Sequence, residues 1–159
     1  MDDIVVTEAG LDQAAEVLDL VSRLLAELGE EGEETGALDP SLTKAWESES
    51  SRHLAFLARH GSRSVGVMTI SETFALYAQG RCGVINEMFV VPEYRSRGVG
   101  ALFLEAAKAL GRRRGWRRID VTAPESIRWD RTRRFYERQG FQFTGPKLKY
   151  LLSPEEENR

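Results

Sequence analysis

One stretch of the chain combines glycines and arginines in an arrangement that suits the binding of a phosphate group. It lies between an apolar segment and an amphipathic segment, and it contains Arg95, Arg97, Gly98 and Gly100. A helix that begins here leaves about four backbone N–H groups without intrahelical partners and carries a partial positive charge. Glycine lets a ligand approach the backbone closely because it has no Cβ. The stretch is therefore a candidate phosphate site.

The two common nucleotide-binding patterns are absent from this stretch. No Gly-Lys-Ser or Gly-Lys-Thr follows the glycines, and Gly98-x-Gly100 lacks the third glycine of the dinucleotide pattern. What remains is Arg-x-x-Gly-x-Gly, which begins at Arg95. An ordinary tight connection between a strand and a helix is the alternative interpretation, and the pattern alone leaves it open.

Residues for metal or nucleophilic chemistry are sparse elsewhere. His53 and His60 are the only histidines, and no third ligand lies near them in the sequence, so we expect no metal site. No Gly-x-Ser-x-Gly elbow occurs, and the one cysteine, Cys82, excludes an intrachain disulfide framework. Glu87 lies within a strand that we expect to be central. A carboxylate there is either a base or a hydrogen-bonded structural group.

Hydrophobic periodicity predicts the elements that position these residues. The predicted helices span 11–28, about 39–50, 99–114 and 130–139. The predicted strands span 4–7, 53–59, 64–71, 84–91, 118–122, 141–143 and 147–152, with a connection at 77–81. The order β-α-α-β-β-β-α-β-α-β-β predicts a single-domain, three-layer α/β fold with one mixed sheet. Trp46 is expected in the core, and Asn86 is expected on the sheet face opposite to Glu87.

Composition indicates one ordinary globular domain over 1–159, with its core at about 4–152 and a frayed tail at 153–159. The net charge of −3 argues against general nucleic-acid binding. The helix dipole explains an arginine cluster at 112–118. No apolar run is long enough to span a membrane, and the acidic N-terminus lacks a signal-peptide pattern, so we expect a cytoplasmic protein without a membrane partner.

Glutamates crowd the glycine-containing segment after the first long helix. They are Glu27, Glu30, Glu31, Glu33 and Glu34. One interpretation is a solvated connection, and the other is an acidic rim that attracts a cationic substrate by electrostatic steering.

Two motifs together resemble the GNAT N-acetyltransferase superfamily. The first, Val91-Pro92-Glu93-Tyr94-Arg95-Ser96-Arg97-Gly98-Val99-Gly100, is similar to the acyl-CoA loop of that family. The second, Thr132-Arg133-Arg134-Phe135-Tyr136-Glu137-Arg138-Gln139-Gly140-Phe141, is similar to its Ala-x-x-Phe-Tyr-Glu-x-x-Gly-Phe. The resemblance implies a GNAT-like fold in which two central parallel strands splay apart.

The resemblance also implies an activity. It implies an acetyl-CoA-dependent N-acetyltransferase that moves an acetyl group to a primary amine of a small molecule or peptide through a tetrahedral intermediate. Acetyl-CoA is then the co-substrate, no metal is required, and homodimers are frequent in the family. The alternative is a non-catalytic acyl-CoA-binding or regulatory module on the same fold. Retention of Glu87 and Tyr136 favours the enzyme.

The cofactor residues that the resemblance implies fall into three groups. Backbone N–H groups of the loop are expected to hold the pyrophosphate, and the residues are Arg95, Ser96, Arg97, Gly98, Val99, Gly100 and Ala101. Met88, Phe89 and Val90 are expected to bond the pantetheine arm through their backbone. Relatives often have asparagine at the position of Trp129. That contact cannot be carried over, so Trp129, Asp130 and Arg131 are candidate CoA contacts instead.

The resemblance implies two catalytic residues. Tyr136 corresponds to the family tyrosine near the CoA sulfur and is assigned as general acid, with a Phe-Tyr core pair as the alternative. Glu87 is the candidate base, acting directly or through water. Many relatives carry an acidic residue at the position of Asn86, where this chain has an amide.

Overall fold

The computed structural model describes residues 3–29, 38–122, 130–144 and 150–152. Its strands are β1 (Ile4–Glu8), β2 (His53–His60), β3 (Arg63–Ala75), β4 (Gly80–Val90) and β5 (Ile119–Val121). Its α-helices are α1 (Ala14–Leu28), α2 (Leu42–Glu49), α3 (Val99–Arg114) and α4 (Asp130–Arg138). Contacts divide the chain into two compact units, Met1–Val121 and Thr122–Arg159, so the sheet and α1 to α3 belong to the first unit and α4 to the second.

The strands form one mixed sheet in the order β1-β2-β3-β4-β5. Neighbouring strands are antiparallel except β4 and β5, which are parallel because α3 connects them. The parallel pairs run from Gly83↔Ile119 to Ile85↔Val121, and β4 continues beyond them to Val90. The predicted α/β class with a mixed sheet is confirmed.

Helices cover both faces of the sheet. Residues 54–58 of β2 and 65–70 of β3 are buried without interruption, which is the pattern of strands covered on two sides. Gly66 lies against Phe103 of α3, since a Cβ at Gly66 would be 3.0 Å from that ring. Odd-numbered residues of β3 face the other way, toward α1. The three predicted layers are therefore present in this unit.

The hairpin of β3 and β4 is longer than the sequence predicted. The strand predicted to end at 71 continues to Ala75, and β4 begins at Gly80, which pairs with Ala75. Most of the connection predicted at 77–81 is thus a tight turn. Backbone pairing extends the two strands at this end. The side chains at the tip show no alternation of buried and exposed positions, because all three large apolar ones are exposed, namely Phe74, Leu76 and Tyr77.

The strand predicted at 141–143 is wrong, because these residues turn back onto α4. The N–H of Phe141 donates to the carbonyl oxygen of Tyr136 at 3.0 Å, and the guanidinium of Arg133 lies 4.6 Å from the ring centre of Phe143. Residues 150–152 form no strand either, whereas 147–149 lie outside the described residues. The predicted tail at 153–159, the acidic residues Glu30–34 and Trp129 also lie outside them. No helix in the described ranges combines the length and apolar character needed to cross a membrane.

Trp116 fixes the end of α3 against β4. Its ring covers Gly83 of β4 and Gly111 of α3, and a Cβ at Gly83 would lie 2.3 Å from the ring. The indole Nε1–H donates to Glu72 Oε1 on β3 at 2.6 Å. Only glycine fits at position 83 without displacing the ring.

We expect Gly83→Ala to lower the free energy of unfolding by about 1–3 kcal/mol, because the new methyl group overpacks the contact with Trp116. Urea unfolding of the single variants and the double variant Gly83→Ala/Trp116→Ala measures the coupling. In the Trp116→Ala background the alanine at 83 should cost much less. Equal costs in both backgrounds would contradict the steric explanation.

Candidate active site

The chain enters α3 through a loop with two left-handed backbone positions. Ser96 has φ +64° and Gly98 has φ +83°. The first intrahelical bond is donated by Leu102 N–H to the carbonyl oxygen of Gly98, so the N–H groups of 99–101 precede it. Apart from its chain neighbours, no atom of the described residues lies within 4 Å of the position that a Cβ at Gly98 would occupy. This open helix start has the backbone form of an anion site.

The two arginines of this loop do different things. The Arg95 guanidinium donates to the Val90 carbonyl oxygen at 2.9 Å and to Glu27 Oε2 at 2.7 Å, which ties α1 to the end of β4. It also lies 5.5 Å from the ring centre of Phe89. Arg97 instead lies over the ring of Tyr94 at 4.9 Å, beside the helix start. Arg95 therefore has a structural role, and Arg97 supplies positive charge next to the loop.

Tyr94 forms the support beneath Arg97. Its side chain is almost fully buried, and the guanidiniums of Arg63 and Arg97 lie over its ring, 5.4 Å and 4.9 Å from the ring centre. Its hydroxyl is hydrogen-bonded to His60 Nδ1 at 2.5 Å. The sequence motif includes this tyrosine, but only the fold reveals its contact with His60.

A β-bulge in β4 sets the position of Glu87. Thr69 of β3 pairs with Glu87 and Ile70 pairs with Ile85, so Asn86 is the extra residue. The buried Thr69 hydroxyl accepts a hydrogen bond from the Glu87 N–H at 3.2 Å. Because the bulge interrupts the two-residue alternation, the amide of Asn86 reaches Ser71 Oγ at 2.6 Å. The expectation that Asn86 points away from the face of Glu87 is thus wrong, since Ser71 lines the same cavity as Glu87.

A cavity of about 530 Å³ lies above this part of the sheet. Its apolar wall comes from α1, from α2 and from one residue just before α2, and the residues are Val17, Leu18, Val21, Leu38, Leu42, Ala45 and Trp46. Its polar lining is Glu49, Arg52, His53, Thr69, Ser71, Glu72 and Glu87. The Oε2 atom of Glu87 is shielded from solvent. Trp46, expected in the core, is a wall of this cavity, and its Nε1–H donates to the His53 carbonyl oxygen at 2.8 Å.

The charged side chains of the cavity differ in their surroundings. Glu72 accepts the Trp116 hydrogen bond and has Arg114 at 3.6 Å. Burial lowers the pKa of His53, and the nearby carboxylate of Glu49 partly opposes this shift, so the imidazole tends toward the neutral form. Glu87 is the third carboxylate of the lining. It lies on β4, on the same strand as residues 88–90.

Tyr136 is buried in the second unit. Its ring makes edge contacts with Phe135 and Phe141, with ring centres 5.2 Å and 5.6 Å away. Burial raises the pKa of Tyr136 to about 12, so the phenol keeps its proton at neutral pH. Asp130 and Arg131 lie in the first turn of α4.

Comparison with known proteins identifies the family. The family model described as an acetyltransferase (GNAT) domain matches residues 51–143, which is more than half of the chain. This chain is a member of the GNAT acetyltransferase family. The match contains both sequence motifs, and the resemblance they indicated is confirmed.

Individual relatives agree with this GNAT assignment. An uncharacterized N-acetyltransferase of Bacillus subtilis strain 168, YhfO, is 26% identical over 105 residues, which cover 66% of this chain and 69% of that protein. Two solved structures share the fold. A predicted acetyltransferase with acetyl-CoA from Clostridium acetobutylicum has a TM-score of 0.76 at 19% identity and covers 94% of this chain and 97% of its own. An aminoglycoside acetyltransferase from an uncultured soil metagenomic sample has a TM-score of 0.78 at 19% identity, with 95% and 99% covered.

The structure brings the candidate residues of the first unit of this GNAT protein together on one segment. Glu87, residues 88–90 and the loop at 95–101 follow one another along β4 and into α3. Sequence reasoning missed Thr69, Ser71 and His53. The only signal for them was the presence of polar residues within predicted strands, which does not tell a cavity floor from an exposed face.

We expect the phenol of Tyr136 in this GNAT protein to ionise late, because burial raises its pKa from 10.0 to about 12. Because the folded state holds this proton more tightly than the unfolded chain, its contribution to stability is full below about pH 10 and is lost as the pH rises toward 12. Phenolate absorbance of wild type and Tyr136→Phe, titrated alongside circular dichroism, measures this late step. Tyr150→Phe, which removes an exposed phenol, is the control and should keep the late step. A late step that survives in Tyr136→Phe would contradict the assignment.

Proposed function

We propose that this protein is an acetyl-CoA-dependent N-acetyltransferase that transfers the acetyl group to a primary amine of a small molecule or peptide. The proposal rests on one observation. A strand that carries a carboxylate at the floor of a cavity leads, through a short 3-10 turn at Pro92–Tyr94, into a helix start with the backbone form of an anion site. Acceptor and donor can therefore meet on a single segment of the chain.

The donor fits the residues of this segment. N–H groups of 95–101 would bind the pyrophosphate, since the helix start has left-handed Gly98 with open space around it. Arg97, supported by Tyr94, would add positive charge. Met88, Phe89 and Val90 lie beyond the last pair of β4 with β5, and their backbone would bond the pantetheine arm. The fold neighbour with acetyl-CoA supports the same donor.

The transfer requires two proton movements. The amine nitrogen forms a bond to the thioester carbonyl carbon, the carbon–sulfur bond breaks, the amine loses a proton and the CoA thiolate gains one. We assign Glu87 as the base, acting directly or through water. A backbone N–H of 88–90 would stabilise the oxyanion of the tetrahedral intermediate.

Tyr136 is assigned as the acid that protonates the thiolate. This assignment rests on the match of Phe135-Tyr136 to the family motif. The aromatic contacts of Tyr136 equally suit the structural alternative, so a functional measurement is needed to separate the two roles. Asp130 and Arg131 stay candidate CoA contacts.

We expect Glu87→Gln and Tyr136→Phe to lower kcat by about 10²–10⁴-fold while the affinity for acetyl-CoA is kept. Thiol release from acetyl-CoA across a panel of primary amines, with the acetylated product identified by mass spectrometry, measures the effect. Glu105→Gln, on the exposed face of α3, is the matched control and should retain full activity. If acetyl-CoA binds and no amine raises thiol release, the non-catalytic acyl-CoA-binding module is the better description. Unchanged turnover of either variant would remove that residue from the mechanism.

We expect Arg97→Ala to weaken acetyl-CoA binding by about tenfold. The substitution removes a charge-assisted contact, and such contacts contribute about 1.5 kcal/mol at the lower end of their range. Arg112→Ala removes an exposed arginine at the other end of α3 and should leave affinity unchanged. Calorimetric titration with acetyl-CoA, in the absence of an amine, measures both variants and the wild type. Equal affinities would exclude Arg97 from the donor site.

A further inference from the structure

The cavity above β3 and β4 has two chemically different sides. Residues of α1 and α2 present carbon surface to it, whereas the strands present oxygen atoms and a carboxylate. Its volume of about 530 Å³ lies in the range of small-molecule sites and suits a compact ligand rather than a folded protein segment.

Among the described residues, little protein covers the apolar side of α2. No residue of α2 is buried, although Leu42, Ala45 and Trp46 all face the cavity. Leu42 is 41% exposed. An amphipathic helix of a globular protein normally buries its apolar face in the core. Here that face lines a cavity, and an apolar ligand body would cover it.

Several polar atoms of the lining are already engaged within the protein. The Thr69 hydroxyl accepts from the Glu87 N–H, and the Ser71 hydroxyl accepts from Asn86. The Trp46 indole N–H donates to the His53 carbonyl oxygen. These groups keep part of their hydrogen-bonding capacity, such as the O–H donors of Thr69 and Ser71, but a ligand with many hydroxyl groups would lose more contacts with water than they replace, which is unfavourable.

The charge at the floor defines the other end of the ligand. Glu87 places a carboxylate there, whereas the carboxylate of Glu49 is paired with Arg52 and that of Glu72 is engaged by Trp116 and Arg114. An ammonium group is attracted to such a floor, and its proton can pass to Glu87.

From these observations, and resting on the proposed function, we infer that the acceptor is a primary amine joined by a short chain to an apolar body, aryl or branched alkyl. Its ammonium group lies at Glu87 and its apolar body lies against Trp46 and the neighbouring residues of α1. Trp46 is then a specificity-determining residue. Amines whose body is densely hydroxylated are poor substrates.

The test compares matched amines in the thiol-release assay. Phenylethylamine and isoamylamine have apolar bodies, ethanolamine is a small hydroxylated counterpart, and an aminoglycoside and a short peptide represent the other classes. We expect kcat/KM for phenylethylamine to exceed that for ethanolamine by about 100-fold, since pocket contacts of a few carbon atoms discriminate on this scale. Higher kcat/KM for ethanolamine, the aminoglycoside or the peptide would overturn the inference and leave the acetyltransferase proposal intact.

Variants of Trp46 test its role separately from folding. Trp46→Ala should raise the KM for phenylethylamine about tenfold and leave the KM for acetyl-CoA unchanged, because it removes one wall of the acceptor site only. Trp46→Phe keeps an aromatic wall without the indole N–H and should restore most of the affinity. Leu76→Ala, an apolar truncation at the exposed hairpin tip, is the control and should match the wild type. An equal acceptor KM in Trp46→Ala and wild type would exclude Trp46 as a specificity residue.

Failure of the proposed function gives a different result. If no amine raises thiol release, calorimetric titration of the wild type with phenylethylamine and with ethanolamine still tests the cavity. Binding of phenylethylamine that weakens in Trp46→Ala supports the ligand class although transfer does not occur. Absence of phenylethylamine binding overturns the inference.

Discussion

The bulge at Asn86 is the constraint on which the site depends. An extra residue in β4 deprives the Glu87 N–H of a regular ladder position, and the buried hydroxyl of Thr69 accepts its hydrogen bond instead. A bulge bends its strand and increases the local twist. The second half of β4 can therefore run in a different direction from the first half. The first half stays paired with β5 over Gly83 to Ile85. Glu87 and the residues that lead into α3 all lie after this point.

The start of α3 is held from two sides. Arg95 connects Val90 to Glu27 and fixes the end of β4 to α1, whereas Tyr94 is enclosed by Arg63, Arg97 and His60. Ser96 occupies a left-handed position that costs a non-glycine residue about 1–2 kcal/mol, and these contacts offset the strain. The loop geometry is thus set by its surroundings before any ligand binds. A preformed loop of this kind lowers the cost of ordering on binding.

Membership of the GNAT family gives the class of the protein, an acetyltransferase family member. The lining of the cavity is the feature that could distinguish the acceptor of this member from the acceptors of its relatives. GNAT neighbours of this chain include an aminoglycoside acetyltransferase, yet they resemble it at identities that carry the fold alone. Pocket chemistry therefore decides the acceptor. Here a carboxylate floor meets a wall of apolar side chains from α1 and α2. Under the proposed function, this combination would separate amines by the chemical character of the group that carries the nitrogen.

The sequence by itself determined the elements with strong local signals. The helix predicted at 99–114 matches α3, because a glycine start, one apolar face and a glycine stop at Gly115 are all local. The parallel strands around α3 followed from the chirality and length of their connection. The two motifs indicated the family, since each combines particular residue types at a fixed spacing.

The tertiary structure decided the features that depend on residues distant in sequence. It extended β3 and β4 through backbone pairing that no side-chain pattern reports, and it turned 141–143 back onto α4 instead of into a strand. It paired Arg95 with Glu27 and left Arg97 beside the loop. The sequence does not distinguish these roles, because both residues are arginines in the same motif. It also made Trp46 a cavity wall and brought Asn86 onto Ser71. Local sequence fixes a backbone period, but burial, bulges and the choice of an ion-pair partner depend on what the rest of the chain places opposite each residue.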